Sequence, residues 1–149
     1  MGDVVTISVV PYVGYEFVDW TVNQGGVTIS QNQDGTFEFV MPAQNVSITA
    51  NYQLLAPAWT TTSQTISFAE NSNENINYNF DLTPDGVIVE YFVAGVDVAY
   101  FSVSGNGTLR FKNAPDFEQK ESYQVSVIAS NDSGSAEKQL TIDLSLIHI

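Results

Sequence analysis

Apolar and polar residues alternate along most of this chain in short stretches, as in Val4-Val5-Thr6-Ile7-Ser8-Val9 near its start. A period of two sends successive side chains to opposite faces, which predicts strands rather than helices. Runs of this kind fall near residues 4–10, 16–22, 27–30, 36–41 and 45–52, and again near 64–68, 75–80, 87–93, 99–103, 107–112, 121–130 and 135–143. Between them stand Val13-Gly14, Gln24-Gly25-Gly26, Asp34-Gly35, Pro84-Asp85-Gly86, Gly105-Asn106-Gly107 and Asn131-Asp132-Ser133-Gly134. Gly, Asn and Asp are turn formers for local conformational reasons, so each break is a turn. Seven closely spaced short strands in the second set suit a sandwich.

The two sets are separated by Leu54-Leu55-Ala56-Pro57-Ala58, where Pro57 cannot donate to a β-ladder. The expected organisation is therefore a small β module over 1–53, a linker over 54–58 and a β-sandwich over 59–143. A module of some fifty residues is near the lower limit for folding alone without a staple. The last residues, 144–149, depart from the alternation before them; they read either as a non-native tail or as a genuine last strand, and His148 receives no functional role. Met1-Gly2-Asp3 runs straight into the first strand without a basic, apolar leader. The alternation also names an inward face for the sandwich: Phe68, Phe80, Phe101, Leu109, Val125, Val127, Ala129, Leu140 and Ile142.

Composition strengthens the all-β reading. Val, Ile and Thr number 18, 10 and 12, against 7 Leu, and β-branched side chains favour pleated, half-buried surfaces. A hydrophobic content of 44% is too high for intrinsic disorder, and no apolar run reaches the roughly 18 to 20 residues of a membrane helix. Charge narrows the partners: seventeen acids face four bases, giving a net charge of −13, and residues 1–109 contain no Lys or Arg. Nucleic acid and anionic membrane surfaces would be repelled, whereas cations are the natural counter-charge. With no Cys there is no disulfide framework, thiolate metal site or thiol nucleophile.

In the first part, Gly2-Asp3-Val4-Val5-Thr6-Ile7, Gly14-Tyr15-Glu16-Phe17-Val18-Asp19-Trp20 and Met41-Pro42-Ala43-Gln44-Asn45-Val46, closing on Ala50-Asn51-Tyr52, fall in one order and spacing. They resemble the divergent internalin-type B-repeat over about residues 2–53. The resemblance implies a small β module repeated along bacterial surface proteins. It also implies that this copy lacks an opening strand or hairpin, which would leave an exposed sheet edge. Phe17 and Trp20 are large apolar side chains suited to packing, with sugar stacking as the other use of such rings.

In the second part, Phe68-Ala69-Glu70-Asn71, Pro84-Asp85-Gly86, Gly95-Val96-Asp97, Gly107-Thr108-Leu109-Arg110-Phe111, Pro115-Asp116-Phe117-Glu118 and Tyr123-Gln124-Val125-Ser126-Val127 follow in series. This series is similar to bacterial cadherin-like domains over about residues 57–143. The resemblance implies a seven-stranded Greek-key sandwich whose acids bind calcium between successive domains. Carried over residue by residue, Glu70, Asp116 and Glu118 belong at the C-terminal pole, and Asp85 and Asp132 at the opposite end. Ca2+ takes 6–8 oxygen ligands, so each group is half a site and binding by this chain alone is expected to be weak, roughly 10⁻⁴–10⁻³ M. Glu70 and Glu118 read equally as solvated or strand-end carboxylates, and Asp85 and Asp132 as turn residues. Asp97 reads as a cap or turn former.

Catalysis has little to work with. There is no usable His, no phosphate-binding Gly loop and no metal-ligand helix motif. Asp116 and Glu118, two residues apart, could share a face, but glycosidase carboxyls stand across a substrate cleft that so small a sandwich rarely forms. Two functions of different class remain. The first is a non-catalytic, extracellular spacer or adhesion module of a larger bacterial surface or secreted protein, stiffened by Ca2+ and partnered by neighbouring domains of the same chain. The second is a glycan- or protein-binding module acting through Trp59, Tyr91, Tyr100 or other exposed rings.

Overall fold

The computed structural model describes residues 2–146, and the chain divides into two compact units, Met1–Leu55 and Ala56–Ile149. Both are built of strands; the only helical turn among the described residues is a short 3-10 segment, Val98–Tyr100.

The first unit contains β1 (Val4–Ile7), β2 (Tyr15–Gln24), β3 (Ser30–Gln31), β4 (Phe37–Val40) and β5 (Ser47–Leu54). They form two small sheets, one ordered β1-β4-β3 and the other a β2-β5 pair, both antiparallel. The expected strand at 27–30 shrinks to the two residues of β3. It follows Gly25 and Gly26, whose φ values of 101° and 57° suit a turn and not an extended run. Phe17, Trp20 and Phe37 pack their rings 5.3–5.7 Å apart, with Tyr52 6.1 Å from Phe17. Only Phe37 and Phe39 are buried among the hydrophobic residues described in this unit.

In the second unit, β6 (Ala58–Trp59) pairs with β8 (Leu82–Thr83), and β10 (Phe101–Val103) with β11 (Leu109–Phe111). The opposite layer is a four-stranded sheet ordered β7-β13-β12-β9, from β7 (Ser63–Ala69), β9 (Glu90–Ala94), β12 (Ser122–Asn131) and β13 (Gly134–Ser145). The β12–β13 hairpin turns on Asn131-Asp132-Ser133-Gly134, where the Asn131 carboxamide oxygen accepts the N–H groups of Ser133 and Gly134. β7 runs parallel to β13, with Ser63 opposite Gln139 and Ala69 opposite Ser145.

Between the layers lies one core of thirteen buried side chains, among them Phe101, Leu109, Val127 and Ile142 at 0–1% exposure. Each fully buried side chain of this size contributes about 1.5–3 kcal/mol. Every residue assigned inward by alternation is buried except Phe80, which is 52% exposed. The expected strand at 75–80 does not form as a continuous ladder. It is reduced to a bridge between Ile76 and Leu109 and resumes only at β8. Released from the ladder, the Phe80 ring packs sideways against Trp59 and Tyr91 at 5.5 and 5.7 Å.

At the other end, β13 continues to Ser145, past the point where alternation had been read as stopping at 143. Leu144 lies opposite Phe68 and is 6% exposed, so the first two residues of the supposed tail are strand. His148 lies outside the described residues. The linker expected at 54–58 is also shorter, since Leu54 belongs to β5 and Ala58 to β6.

Candidate functional site

Glu70 directly follows β7, and its backbone N–H donates to the Ser145 carbonyl at 3.1 Å. Asn71, at a φ of 58°, turns the chain and donates its N–H to Pro115 at 2.7 Å. These bonds dock the end of β7 on the 115–118 loop, and a Glu70 carboxylate oxygen accepts the Phe117 N–H at 3.2 Å. Asp116 holds the same loop from within. One of its oxygens accepts the Glu118 N–H and the other the Gln119 side-chain amide, each at 2.9 Å. The structure thus brings Glu70 against the Asp116–Glu118 loop, across more than forty residues of sequence. Glu70 is 7% exposed, whereas Glu118 lies on the surface.

These carboxylates hold backbone, and they do not converge into a cage. Among the described residues no group of three or more His, Cys, Asp or Glu side chains is placed to hold a metal ion. A Ca2+ shell needs several oxygens on one centre. Asp85 and Asp132 are both exposed and sit in separate turns. The Asn131 side chain donates to the Ile88 carbonyl at 3.0 Å, tying the hairpin turn to the segment after Asp85.

The residues that alternation did not single out are basic. Lys138 stands on β13 between Ala136 and Leu140 on the inward face and is 0% exposed. Its Nζ donates to Asp81 Oδ1 at 2.8 Å and to Thr61 Oγ1 at 2.7 Å, and lies 5.3 Å from the centre of the Trp59 ring. The Lys138 hydrogen bond, with a second from Thr61, holds the Asp81 carboxyl below its ordinary range. Period two places Lys138 beside Leu140 and Ile142, so the pattern itself carried the signal. A second pair lies at the start of β12. Asp97 is 6% exposed, accepts the Gln124 N–H at 2.8 Å and pairs with Lys120 at 2.5 Å. Burial raises its carboxyl, but the bonds from Lys120 and Gln124 outweigh burial and leave it below the ordinary range. Asp97 flanks the 3-10 turn without capping it through its side chain. It clamps two segments.

The rings named for surface binding differ in burial. Trp59 is 6% exposed and donates its indole N–H to the Ala136 carbonyl at 3.3 Å, which makes it a core residue. Tyr91 is half-buried against Phe80; Tyr100 remains 50% exposed with its ring 5.1 Å from that of Tyr123.

A two-layer sandwich whose first long strand lies parallel to its last, with a short strand crossing to the other layer, is a cadherin-type fold. Comparison with known proteins agrees. Residues 1–56 match the family model of the divergent InlB B-repeat domain. Among solved structures, human protocadherin-24 EC1-2 is similar with a TM-score of 0.52 and 15% identity, over 61% of this chain and 45% of that one. Mouse cadherin-23 EC22-24 gives 0.51 and 13% over 90% and 53%, and the human desmocollin-1 ectodomain 0.52 and 17% over 86% and 33%. The chain therefore spans between 33% and 53% of these solved chains. No curated protein sequence matches it. The first unit is thus similar to a B-repeat, and the second has the fold of a cadherin domain.

Proposed function

We propose that the two units are non-catalytic, extracellular spacer or adhesion modules of a larger, repetitive bacterial surface or secreted protein. The observation that carries this reading is the parallel register of β7 with β13. After the short β6 the chain starts its first long strand at Ser63, and it leaves the last strand beside Ser145 at the opposite end of the ladder, so the unit passes the polypeptide onward in line. A domain of that design extends a chain. The desmocollin-1 structure it resembles is an ectodomain, and among the described residues no helix is long and apolar enough to cross a membrane. Its partners in this reading are the neighbouring domains of the same chain and a cell-surface protein or glycan.

Calcium enters as a cation shared with the next domain. Glu70, Asp116 and Glu118 lie around one pole, and a following domain would supply the missing oxygens. Calorimetry with CaCl2 checks this: this chain should bind at roughly 10⁻⁴–10⁻³ M or more weakly. Fusion to its native following domain should tighten binding, and Glu118→Ala should reverse the gain. An unresponsive fusion removes the metal and leaves a plain spacer. Glycan and protein arrays probed with the chain test the wider reading. A saturable glycan ligand lost in Tyr100→Ala would replace the spacer with a binding module.

A further inference from the structure

We propose that the first unit accepts an additional extended strand, from a basic partner polypeptide, along the open edge of β2. A groove of about 580 Å³ in this unit is lined by Phe17, Asp19, Trp20 and Val22 of β2, by Ile29 and Gln31, and by Phe37 of β4. Neither β5, the partner of β2, nor β1, the far strand of the other sheet, contributes to it. The groove therefore lies on the unpaired side of β2. Residues from both faces of β2 line it, as expected of a groove that runs along a strand edge.

Its opposite wall is formed by Ile29, Gln31 of β3 and Phe37 of β4. The free edge of β2 offers backbone N–H and C=O groups to another strand. A third group waits there. Trp20 Nε1 is buried and has no hydrogen-bond acceptor, while the other indole, Trp59, donates to Ala136. A buried donor without an acceptor is destabilising, and a carbonyl on an entering strand would satisfy it.

Charge selects the occupant. Asp19 is the charged residue that lines the groove, and no Lys or Arg occurs in the first unit or anywhere before Arg110. A second copy of a chain with a net charge of −13 is repelled, whereas a strand carrying Lys or Arg between apolar residues matches both the rings and the rim.

The two indoles provide the test in the complete 149-residue chain. The probe is an acetylated, amidated nonapeptide alternating Val with Lys and Thr, titrated into the 15N-labelled protein. The Trp20 indole cross-peak and the amides of 17–22 and 29–31 should shift saturably, and that of Trp59 should stay in place. A peptide with Glu for Lys should bind at least about tenfold more weakly, and Asp19→Asn should weaken the Lys peptide about threefold. A Pro-substituted Lys peptide, which keeps the charge but cannot pair as a strand, should give no shift at Trp20. The proposal is overturned if the Lys peptide leaves Trp20 unmoved, if the Pro peptide works as well, if both indoles move alike, or if the free protein dimerises through these same residues.

Discussion

The two units use the same kind of strand to different depths. In the second, a four-stranded sheet faces a second layer over thirteen buried side chains, several of them wholly removed from water. In the first, two small sheets share a cluster of half-buried rings, and only Phe37 and Phe39 reach burial among its described hydrophobic residues. The smaller unit covers less of the surface it would expose on unfolding, and large aromatic rings make up part of the difference, with Phe37 of one sheet packed against Phe17 and Trp20 of the other. The larger unit has enough core to bury a lysine in its sandwich and still satisfy it.

That contrast breaks most sharply at Val127, which is 0% exposed in the middle of β12. Val127→Asp places an unpaired charge there and should unfold the second unit outright, a loss of at least about 4 kcal/mol. With one tryptophan in each unit, fluorescence at Trp59 should report the loss while Trp20 keeps its native emission. If both respond together, the units do not fold separately.

Asp81→Ala tests the buried lysine. It leaves Lys138 in the core without its carboxylate and should lower the melting temperature of the second unit by about 10–20 °C. Lys138→Met fills the same space without a charge and leaves behind only the partly exposed Asp81. It should melt near the parent or above it. Equal destabilisation by both would mean that the pair itself, and not the stranded lysine, carries the effect.

In the first unit, Phe37→Ala removes the ring that meets both Phe17 and Trp20, at a cost of about 3 kcal/mol. So thin a core should lose its cooperative melt, read at Trp20, while the second unit is unaffected. A Tm within a few degrees of the parent would show that the unit's stability resides elsewhere.

The smallest effect is in acid. Asp97 and Asp81 both titrate below the ordinary 3.8, so each favours the folded state fully above that value. Their contribution is lost as the pH falls through the lower folded values. Melting of the second unit followed from pH 6 down to about 2.5 should show that decline, flattened in Asp97→Asn. The first unit supplies the comparison, where the side-chain hydrogen bond from Thr36 lowers the Asp34 carboxyl.

Much of the second unit was legible because burial and alternation agree there: Phe68, Phe101, Leu109, Val125, Val127, Ala129, Leu140 and Ile142 all face inward. Phe80 misled because Asn75, Asn77 and Asn79 alternate with Ile76 and Tyr78 as in a strand, while the backbone bridges only at Ile76. Lys138 was hidden for the opposite reason, since its position obeyed the period but its charge argued against a core site. Composition supplied only the acidic charge; the grouping of Glu70, Asp116 and Glu118 came from the resemblance to cadherin-like domains. That Glu70 meets the Phe117 N–H depends on how β7 docks beside β13, which no local spacing encodes.

The parallel β7–β13 ladder has a mechanical consequence. Seven register pairs, from Ser63–Gln139 to Ala69–Ser145, connect the first long strand, which follows the short β6, to the strand through which the chain leaves. Tension along the polypeptide pulls these two strands past each other lengthwise, so the rungs share the load and must fail nearly together. Peeling would break them singly at far lower force. A link built this way resists stretching along the direction in which the chain runs, and it yields much more readily to a sideways pull at the free edge of β9.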